Sequence, residues 1–129
     1  MKAKQLHRVP LYLRAIEILK GLQGLHDELV FPSPRDQVPL SGTVLTMFLR
    51  RAKAESCPPG RMATAHGFRS SFRDWCSEQG YTRDLAERAL AHTVQNKVEA
   101  AYHRTDLLDQ RRPMMDAWTK FVAGDLPTE

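Results

Sequence analysis

The sequence predicts a mainly α fold with one or two short β segments near the N-terminus. Apolar residues recur at helical spacing through most of the chain, and capping and terminating residues bracket these stretches. No strand–helix–strand alternation and no glycine-rich phosphate loop is present in the 129 residues. This length, with a hydrophobic content of 42%, fits one globular domain or one lobe of a larger domain.

The β segments are expected before and after the first helix. The stretch "KQLHRVPLYL" alternates polar and apolar residues around Pro10, which favours a short strand or an edge segment. The stretch "RAIEILKGL" predicts a helix that ends at Gly21 and Gly24. Residues 27–41 then predict a brief extended piece and a loop, because their three prolines cannot donate backbone hydrogen bonds.

Three helices are predicted in the middle of the chain. Ser41 is a suitable N-cap for a helix that continues to about Ala54. Thr64 caps the next helix, which contains "AHGFRSSFRDW", and Gly80 ends it. Thr82 caps a short third helix, "RDLAERALA".

The C-terminal part predicts one or two more helices. Asn96 and Glu99 resemble a capping box, and the helix that they begin should run to about Arg112. Pro113 should break or kink that helix, or begin a last one, "MMDAWTKFVA". Residues 124–129 are expected to form a loose tail.

Composition limits the classes of function. A formal net charge of +4 permits a polyanionic partner without requiring one. Two cysteines, Cys57 and Cys76, do not make a disulfide scaffold and favour a reducing compartment. Neither a membrane-spanning apolar run nor a secretory signal is present, so we expect a cytoplasmic protein.

The helix after Thr64 has two chemically distinct faces. Phe68, Phe72 and Trp75 fall on one face, which is predicted to be buried. The opposite face collects polar residues: His66, Arg69, Ser70, Arg73 and Ser77. The spacing alone favours a solvated surface, although arginine is the side chain best suited to grip a phosphate. His92 and Tyr102, each taken alone, likewise favour structural roles.

Taken together and in order, the stretches "HGFR", "LAH" and "AAYHR" resemble the C-terminal half of a tyrosine recombinase catalytic domain. This family includes the phage integrases. The stretches "HRVPL", "FPSPR", "PLSGTVLTMFLRR" and "HGFRSSFRDW" are most similar to prophage-type integrases. The resemblance implies a helical C-terminal lobe of that domain and covers nearly the whole chain.

The resemblance implies a role for each matching residue. Tyr102 corresponds to the nucleophile, which would attack a scissile DNA phosphate and form a 3′-phosphotyrosyl bond. Arg69 corresponds to an arginine that binds the non-bridging oxygens. His66 would assist proton transfer or position the phosphate, and His92 would donate a hydrogen bond to it. Fixed cationic donors stabilise the charge that gathers in phosphoryl transfer.

Further roles follow from the same resemblance. Lys2, or alternatively Lys4, corresponds to the lysine that protonates the leaving 5′-oxygen. Five other side chains are candidates to contact DNA: Ser70, Arg73, Arg50, Arg51 and Lys97. No cofactor and no metal is implied, and the cysteines and five histidines show no zinc-like spacing. The implied partners are double-stranded DNA attachment sites and other integrase protomers, with a tetramer on DNA.

The match departs from the family at Pro113, in a helix that usually continues beyond the tyrosine in relatives, and in a missing motif. An essential arginine motif normally lies well before the histidine–arginine motif, and none of the 65 residues before His66 forms it. Residues 1–129 are therefore interpreted as a partial catalytic domain without that motif and without the N-terminal DNA-binding domain. Such a fragment is expected to cleave DNA poorly or not at all.

Two alternatives stay open on the sequence. In the first, the chain is a non-catalytic helical DNA-binding module. In the second, it is a protein-interaction module whose basic surface is incidental.

The C-terminal helix also has two interpretations. Family tails often dock on a neighbouring subunit, so Trp118, Phe121 and Val122 either contact a partner or pack on the chain's own core.

Overall fold

The regular secondary structure of the chain is helical. A computed structural model describes residues 6–35, 38–92 and 105–124. In these ranges five helices follow one another: α1 Leu13–Gly21, α2 Val44–Arg51, α3 Gly67–Glu78, α4 Arg83–Ala89 and α5 Leu108–Ala123. Extended pairing among these residues consists of two isolated antiparallel bridges, Pro32 with Pro39 and Glu55 with Met62. The predicted mainly α class is confirmed.

The described residues fall into two compact units. Residues Leu13–Ser71 form the first, here called the central unit. The second, here called the terminal unit, combines the described residues up to Tyr12 with those from Phe72 onward. Helix α3 begins in the central unit and continues into the terminal unit.

Threonine hydroxyls cap two helices where the sequence predicted them. The Thr64 hydroxyl accepts a hydrogen bond of 3.0 Å from the Gly67 N–H at the start of α3. The Thr82 hydroxyl accepts one of 3.3 Å from the Leu85 N–H at the start of α4. Each bond satisfies one of the backbone donors that a helix N-terminus leaves without an intrahelical partner.

Gly80 ends α3, as predicted, in a Schellman motif. The Gly80 N–H donates to the Ser77 carbonyl over 3.1 Å, and the Tyr81 N–H donates to the Cys76 carbonyl over 2.9 Å. Gly80 has a φ of +77°, a region in which a Cβ atom is costly. The glycine therefore stops the helix without strain.

The core of the terminal unit joins its three helices. The buried residues come from α3, α4 and α5: Phe72, Trp75, Cys76, Leu85, Ala86 and Met114. Trp118 packs against this cluster, with its ring centroid 5.2 Å from those of Phe72 and Trp75. Each such large side chain contributes about 1.5–3 kcal/mol by leaving water. Of the two readings of Trp118, the structure supports packing on the chain's own core.

Helix α2 is shorter than predicted. It was expected from Ser41 to about Ala54 and covers Val44–Arg51. The Ser41 hydroxyl lies 3.0 Å from the Thr43 hydroxyl and accepts from the Thr43 N–H over 3.4 Å, so it caps a turn before the helix. Lys53 has a φ of +50°, which ends the helix early.

The predicted helix up to Arg112 is not continuous in its described part. Residues 105–107 lie outside any helix, and Leu107 has a φ of +50°. That left-handed residue cannot continue a right-handed helix, so α5 begins directly after it. Asn96 and Tyr102, which belong to the same predicted helix, lie outside the described residues.

Pro113 lies inside α5, so the predicted break or helix start at this residue is wrong. Proline removes the N–H that would bond the Asp109 carbonyl, near the beginning of the helix. Met114, the next residue, is completely buried in the core of the terminal unit. Packing of the residues after the proline therefore holds the helix together despite its low propensity.

Residues 6–12 contain no strand, although their alternation predicted a strand or an edge segment. Side-chain bonds to the α5 region hold this segment instead, as described below. None of the helices in the described ranges combines the length and apolar character that crossing a membrane requires.

Candidate functional site

The start of α3 presents the predicted histidine–arginine pair in the central unit. His66 and Ser70 are exposed, and Arg69 is partly buried. The Arg69 N–H donates to the His66 carbonyl over 3.0 Å, which fixes the two residues one turn apart. No acidic residue lies in the first turn of α3, where the helix dipole favours an anion. This local arrangement suits a phosphate group.

Gly67, between the two, has a packing reason to be glycine. A Cβ atom built on it would lie 3.2 Å from the Oγ1 atom of Thr64, closer than such atoms normally approach. The same Thr64 oxygen accepts the Gly67 N–H. The glycine of the "HGFR" stretch thus lets the capping threonine approach the helix that carries Arg69.

His92 lies in the terminal unit, at the C-terminal end of α4. Ala91 has a φ of +52°, its N–H donates to the Arg88 carbonyl, and the His92 N–H donates to the Glu87 carbonyl over 3.0 Å. These bonds form a second Schellman motif, with alanine in the position that glycine usually takes. The His92 Nδ1 atom also pairs with the Oε2 atom of Glu87. Backbone and ring are therefore both fixed by one residue.

Glu87 also contacts two arginines. The Arg73 Nε atom lies 3.1 Å from the Glu87 Oε1 atom, and the Arg83 Nε atom lies 3.9 Å from it. Glu87 is only 17% exposed, whereas Arg73 is 44% exposed. The group Arg73, Arg83, Glu87 and His92, here called the Glu87 cluster, gathers one anion and up to three cations. The net charge of the cluster is therefore positive, which favours contact with a phosphate.

Arg50 and Arg51 end α2 in the central unit, and both are exposed. Cationic side chains are favoured in the last turn of a helix, so this position is also compatible with a structural role. The structure leaves both guanidinium groups accessible, as contact with a DNA backbone requires.

The remaining candidates lie outside the described residues: Tyr102, Lys2, Lys4 and Lys97. Among the candidates that the structure describes, His66, Arg69 and Ser70 lie around the start of α3 in the central unit. Arg50 and Arg51 lie in the same unit, at the end of α2. Arg73 and His92 meet in the terminal unit through Glu87. Within residues 6–35, 38–92 and 105–124, no group of three or more potential ligands could hold a metal ion.

A set of polar bonds ties the N-terminal segment to the residues around the start of α5. The Arg8 guanidinium donates to both oxygens of Asp106, over 2.7 and 2.8 Å. The Arg111 guanidinium donates to the Arg8 and Asp106 carbonyls, and the Tyr12 hydroxyl donates to the Arg112 carbonyl. Together these bonds hold residues 8–12 within the terminal unit.

Charge and burial account for the titration of these groups. The hydrogen bond from Arg8 lowers the pKa of Asp106 below its ordinary value. Arg111 is only 1% exposed, and burial lowers its pKa. Its Nε atom makes no hydrogen bond with any residue that the structure describes. The buried guanidinium therefore relies on the two backbone carbonyls.

Sequence reasoning missed Glu87, Asp106 and Arg111. The Arg83–Glu87 spacing of four residues is a helical ion-pair signal that the sequence did offer. The pairing of Glu87 with Arg73 joins two helices, and the pairing of Arg8 with Asp106 joins residues 98 positions apart. Neither has a local signature.

Searches for similar proteins found integrases. The chain is 37% identical over 126 residues to prophage integrase IntA of Escherichia coli strain K12, which covers 95% of the chain and 29% of IntA. It is 35% identical to the integrase of Enterobacteria phage P4, over 95% of the chain and 28% of that protein. For prophage integrase IntZ of the same Escherichia coli strain, the identity is 34%, over 97% of the chain and 31% of IntZ.

The chain spans about three-tenths of the length of these curated relatives. No family model matches it, and no solved structure matches it. The similarity nevertheless extends over almost the entire chain and recurs in several integrases, in agreement with the resemblance carried by the histidine–arginine, histidine and tyrosine motifs. By sequence, the chain is therefore similar to phage and prophage integrases.

Proposed function

We propose that the chain is part of a site-specific DNA recombinase that integrates or excises a mobile element. The observation that carries this proposal is the similarity to integrases over 95% of the chain, in which His66, Arg69, His92 and Tyr102 occur in the family's order. Its substrate is a double-stranded DNA attachment site in the host cytoplasm, and its partners are further protomers of the same integrase.

The proposed reaction is two successive phosphoryl transfers. The Tyr102 hydroxyl loses its proton, with His66 as the candidate acceptor, and its oxygen attacks the scissile phosphorus to form a 3′-phosphotyrosyl bond. The bond from phosphorus to the 5′-oxygen breaks, and that oxygen takes a proton from Lys2 or Lys4. A 5′-hydroxyl of another strand then attacks the same phosphorus and releases the tyrosine. The phosphotyrosyl bond keeps the energy of the broken bond, so rejoining needs no nucleotide cofactor.

Arg69, His66 and His92 are proposed to stabilise the non-bridging oxygens. Tyrosine is a weak nucleophile at its free pKa near 10, so the reaction depends on donors fixed where negative charge develops. The position of His66 directly before α3 and of Arg69 in its first turn supports this role, because the helix N-terminus adds a favourable dipole.

DNA-backbone contacts are proposed for five further residues: Ser70, Arg73, Arg50, Arg51 and Lys97. The exposure of the first four supports this assignment. Each phosphate contact releases counterions, so binding should weaken steeply with salt. Replacing both Arg50 and Arg51 by alanine should reduce the slope of log K against log salt by about two. Glu55→Ala is a control on an exposed site outside α2, and an unchanged slope in the arginine variant would contradict the contact.

The chain alone is proposed to cleave DNA slowly or not at all, because residues 1–65 do not contain the first arginine motif. Removing one preorganised donor costs about 10²–10³ in rate. The chain would therefore carry the nucleophile and only part of the phosphate pocket.

Covalent trapping tests the function. The chain is incubated for long times with a pool of nicked duplexes, and protein–DNA adducts are isolated under denaturing conditions. We expect slow adduct formation that disappears in Tyr102→Phe and falls a further 10²–10³-fold in Arg69→Ala. An adduct that persists in Tyr102→Phe would contradict the role of Tyr102, and absence of DNA binding would favour a protein-interaction module. Rapid Tyr102-dependent adduct formation would contradict only the proposed inactivity.

A further inference from the structure

The Glu87 cluster places one carboxylate between a candidate phosphate donor and a candidate DNA-backbone contact. Glu87 Oε2 pairs with His92 Nδ1, while Oε1 faces the Nε atoms of Arg73 and Arg83 at 3.1 and 3.9 Å. Oε1 makes no hydrogen bond of normal geometry within the part of the chain that the structure describes. The two arginines therefore interact with the Glu87 carboxylate through their charge, whereas His92 forms a hydrogen bond with it.

The His92 ring is held from the same residue that holds its backbone. The His92 N–H donates to the Glu87 carbonyl over 3.0 Å, and the ring pairs with the Glu87 carboxylate. Ala91, in the left-handed region with a φ of +52°, makes the tight turn that returns His92 toward Glu87. Two contacts across one turn leave the imidazole little freedom to rotate.

The chemistry of the pair determines which nitrogen can meet a ligand. An ionised carboxylate only accepts hydrogen bonds, so Nδ1 must carry a proton. Nε2, on the far side of the ring, is then the atom left for another partner. It accepts a hydrogen bond while the ring is neutral and donates one when the ring is protonated. The His92 side chain is 39% exposed, so a ligand can reach it.

Solvent exposure distinguishes the members of the cluster. Glu87 is mostly shielded, while Arg73 is 44% and Arg83 81% exposed. A shielded anion surrounded by exposed cations does not itself meet DNA, because its charge would repel a phosphate. Its position suits a residue that orients the cations around it.

We propose that Glu87 is the positioning residue for His92. It accepts from Nδ1–H and so directs Nε2 to the DNA phosphate, to which Nε2 donates when the ring carries both protons, and its other carboxylate oxygen pairs with Arg73. The link to phosphate rests on the proposed function, whereas the fixed ring is a property of this chain alone.

Imidazole NMR on the 129-residue chain tests the proposal without relying on cleavage. Spectra that correlate ring protons with ¹⁵N report which nitrogen bears the proton when the ring is neutral. We expect Nδ1–H in the wild type. Glu87→Ala should shift His92 toward the Nε2–H form that free imidazole side chains prefer, and Glu87→Gln should retain Nδ1–H because its amide oxygen still accepts.

Asp84→Ala is the matched control, because it removes another carboxylate of α4 that pairs with Arg88 rather than with His92. An Nε2–H form in the wild type, or identical His92 signals in the wild type and Glu87→Ala, would overturn the proposal. The wild-type spectrum and Glu87→Gln decide the question even if Glu87→Ala does not fold.

Titration with a short DNA duplex separates this proposal from the proposed function. We expect the His92 Nε2 signal to move on DNA addition in the wild type and in Glu87→Gln, and to move less in Glu87→Ala. If the ring is fixed as Nδ1–H but does not respond to DNA, the proposed phosphate contact of His92 fails. If it responds to DNA without being fixed by Glu87, the positioning role fails.

Discussion

The terminal unit contains a buried cluster of apolar residues, whereas the central unit leaves most of its apolar residues exposed. All six residues of the buried cluster belong to the terminal unit, where three helices enclose them. Among the described residues of the central unit, Leu49 alone is buried. Its neighbours on α2, Leu45 and Phe48, are 60% and 64% exposed.

This contrast bears on how each unit can hold a phosphate-binding group. In the terminal unit, His92 and Arg73 are fixed by Glu87, on helices that share a buried core. In the central unit, His66 and Arg69 are placed by local features, the Thr64 cap and the first turn of α3. Sites on packed elements are held more precisely than sites that rely on local hydrogen bonds.

Two phenylalanines of α3 provide the largest expected difference between the units. Phe72 belongs to the terminal unit and is 5% exposed, and Phe68 belongs to the central unit and is 57% exposed. Phe72→Ala should lower the free energy of unfolding by about 3–5 kcal/mol, because it removes an aromatic ring from a packed core. Phe68→Ala should change it by about 0.5 kcal/mol or less.

Denaturant unfolding followed by circular dichroism measures both variants. Each substitution makes the same gain in helix propensity, one turn apart on one helix, so that term cancels in the comparison. Equal losses in the two variants would contradict the contrast in packing, since they would mean that Phe68 is as well packed as Phe72.

The two cysteines give a second test of the same contrast. Burial raises the pKa of the Cys76 thiol in the terminal unit from 9.0 to about 11, and Cys57 in the central unit is exposed. At about pH 8 the Cys76 thiolate is therefore about 100-fold rarer than at the ordinary pKa. Iodoacetamide labelling with peptide mass spectrometry should modify Cys57 first and Cys76 only after unfolding.

The same shift makes stability depend on alkaline pH. The folded state keeps the Cys76 proton up to about pH 11, while the unfolded state loses it near pH 9. Stability from this group is present below pH 9 and is lost as the pH rises toward 11. Cys76→Ala should flatten this part of the pH profile, and similar labelling rates for both native cysteines would contradict the burial of Cys76.

Local signals predicted the fold well where a single side chain decides the outcome. Thr64, Thr82 and Gly80 act where the sequence placed them, because a cap or a left-handed glycine depends on only a few neighbouring residues. Pro113 was misjudged because Met114 and later residues of α5 pack on the core. Packing between distant elements is not visible in a local pattern.

The same distinction applies to the candidate site. The spacing of His66 and Arg69 and the position of His92 at a helix end could be predicted, since both are local. Phe68 was expected on the buried face by helical periodicity, yet it is exposed, because periodicity does not say where along a helix the core ends. The contact between Arg73 and Glu87 could not be predicted, because it requires the packing of α3 against α4.

The smallest expected difference concerns two helix ends of the same design. Lys53 after α2 and Ala91 after α4 both adopt the left-handed conformation, with φ of +50° and +52°, in Schellman motifs. Glycine at these positions removes the steric cost of the Cβ atom. The greater conformational freedom of glycine in the unfolded chain offsets part of this gain. Lys53→Gly and Ala91→Gly should each gain about 0.5–1 kcal/mol.

The place where that gain is observed should differ between the units. Ala91→Gly should raise the free energy of global unfolding, because α4 belongs to the packed core of the terminal unit. Lys53→Gly should slow hydrogen exchange of the α2 amides, because Leu49 is the only buried residue of that helix and local opening is easier there. Gly80→Ala, the reverse change after α3, should lose about 1 kcal/mol. A global gain from Lys53→Gly equal to that from Ala91→Gly would show that the central unit unfolds only together with the core, despite its exposed apolar residues.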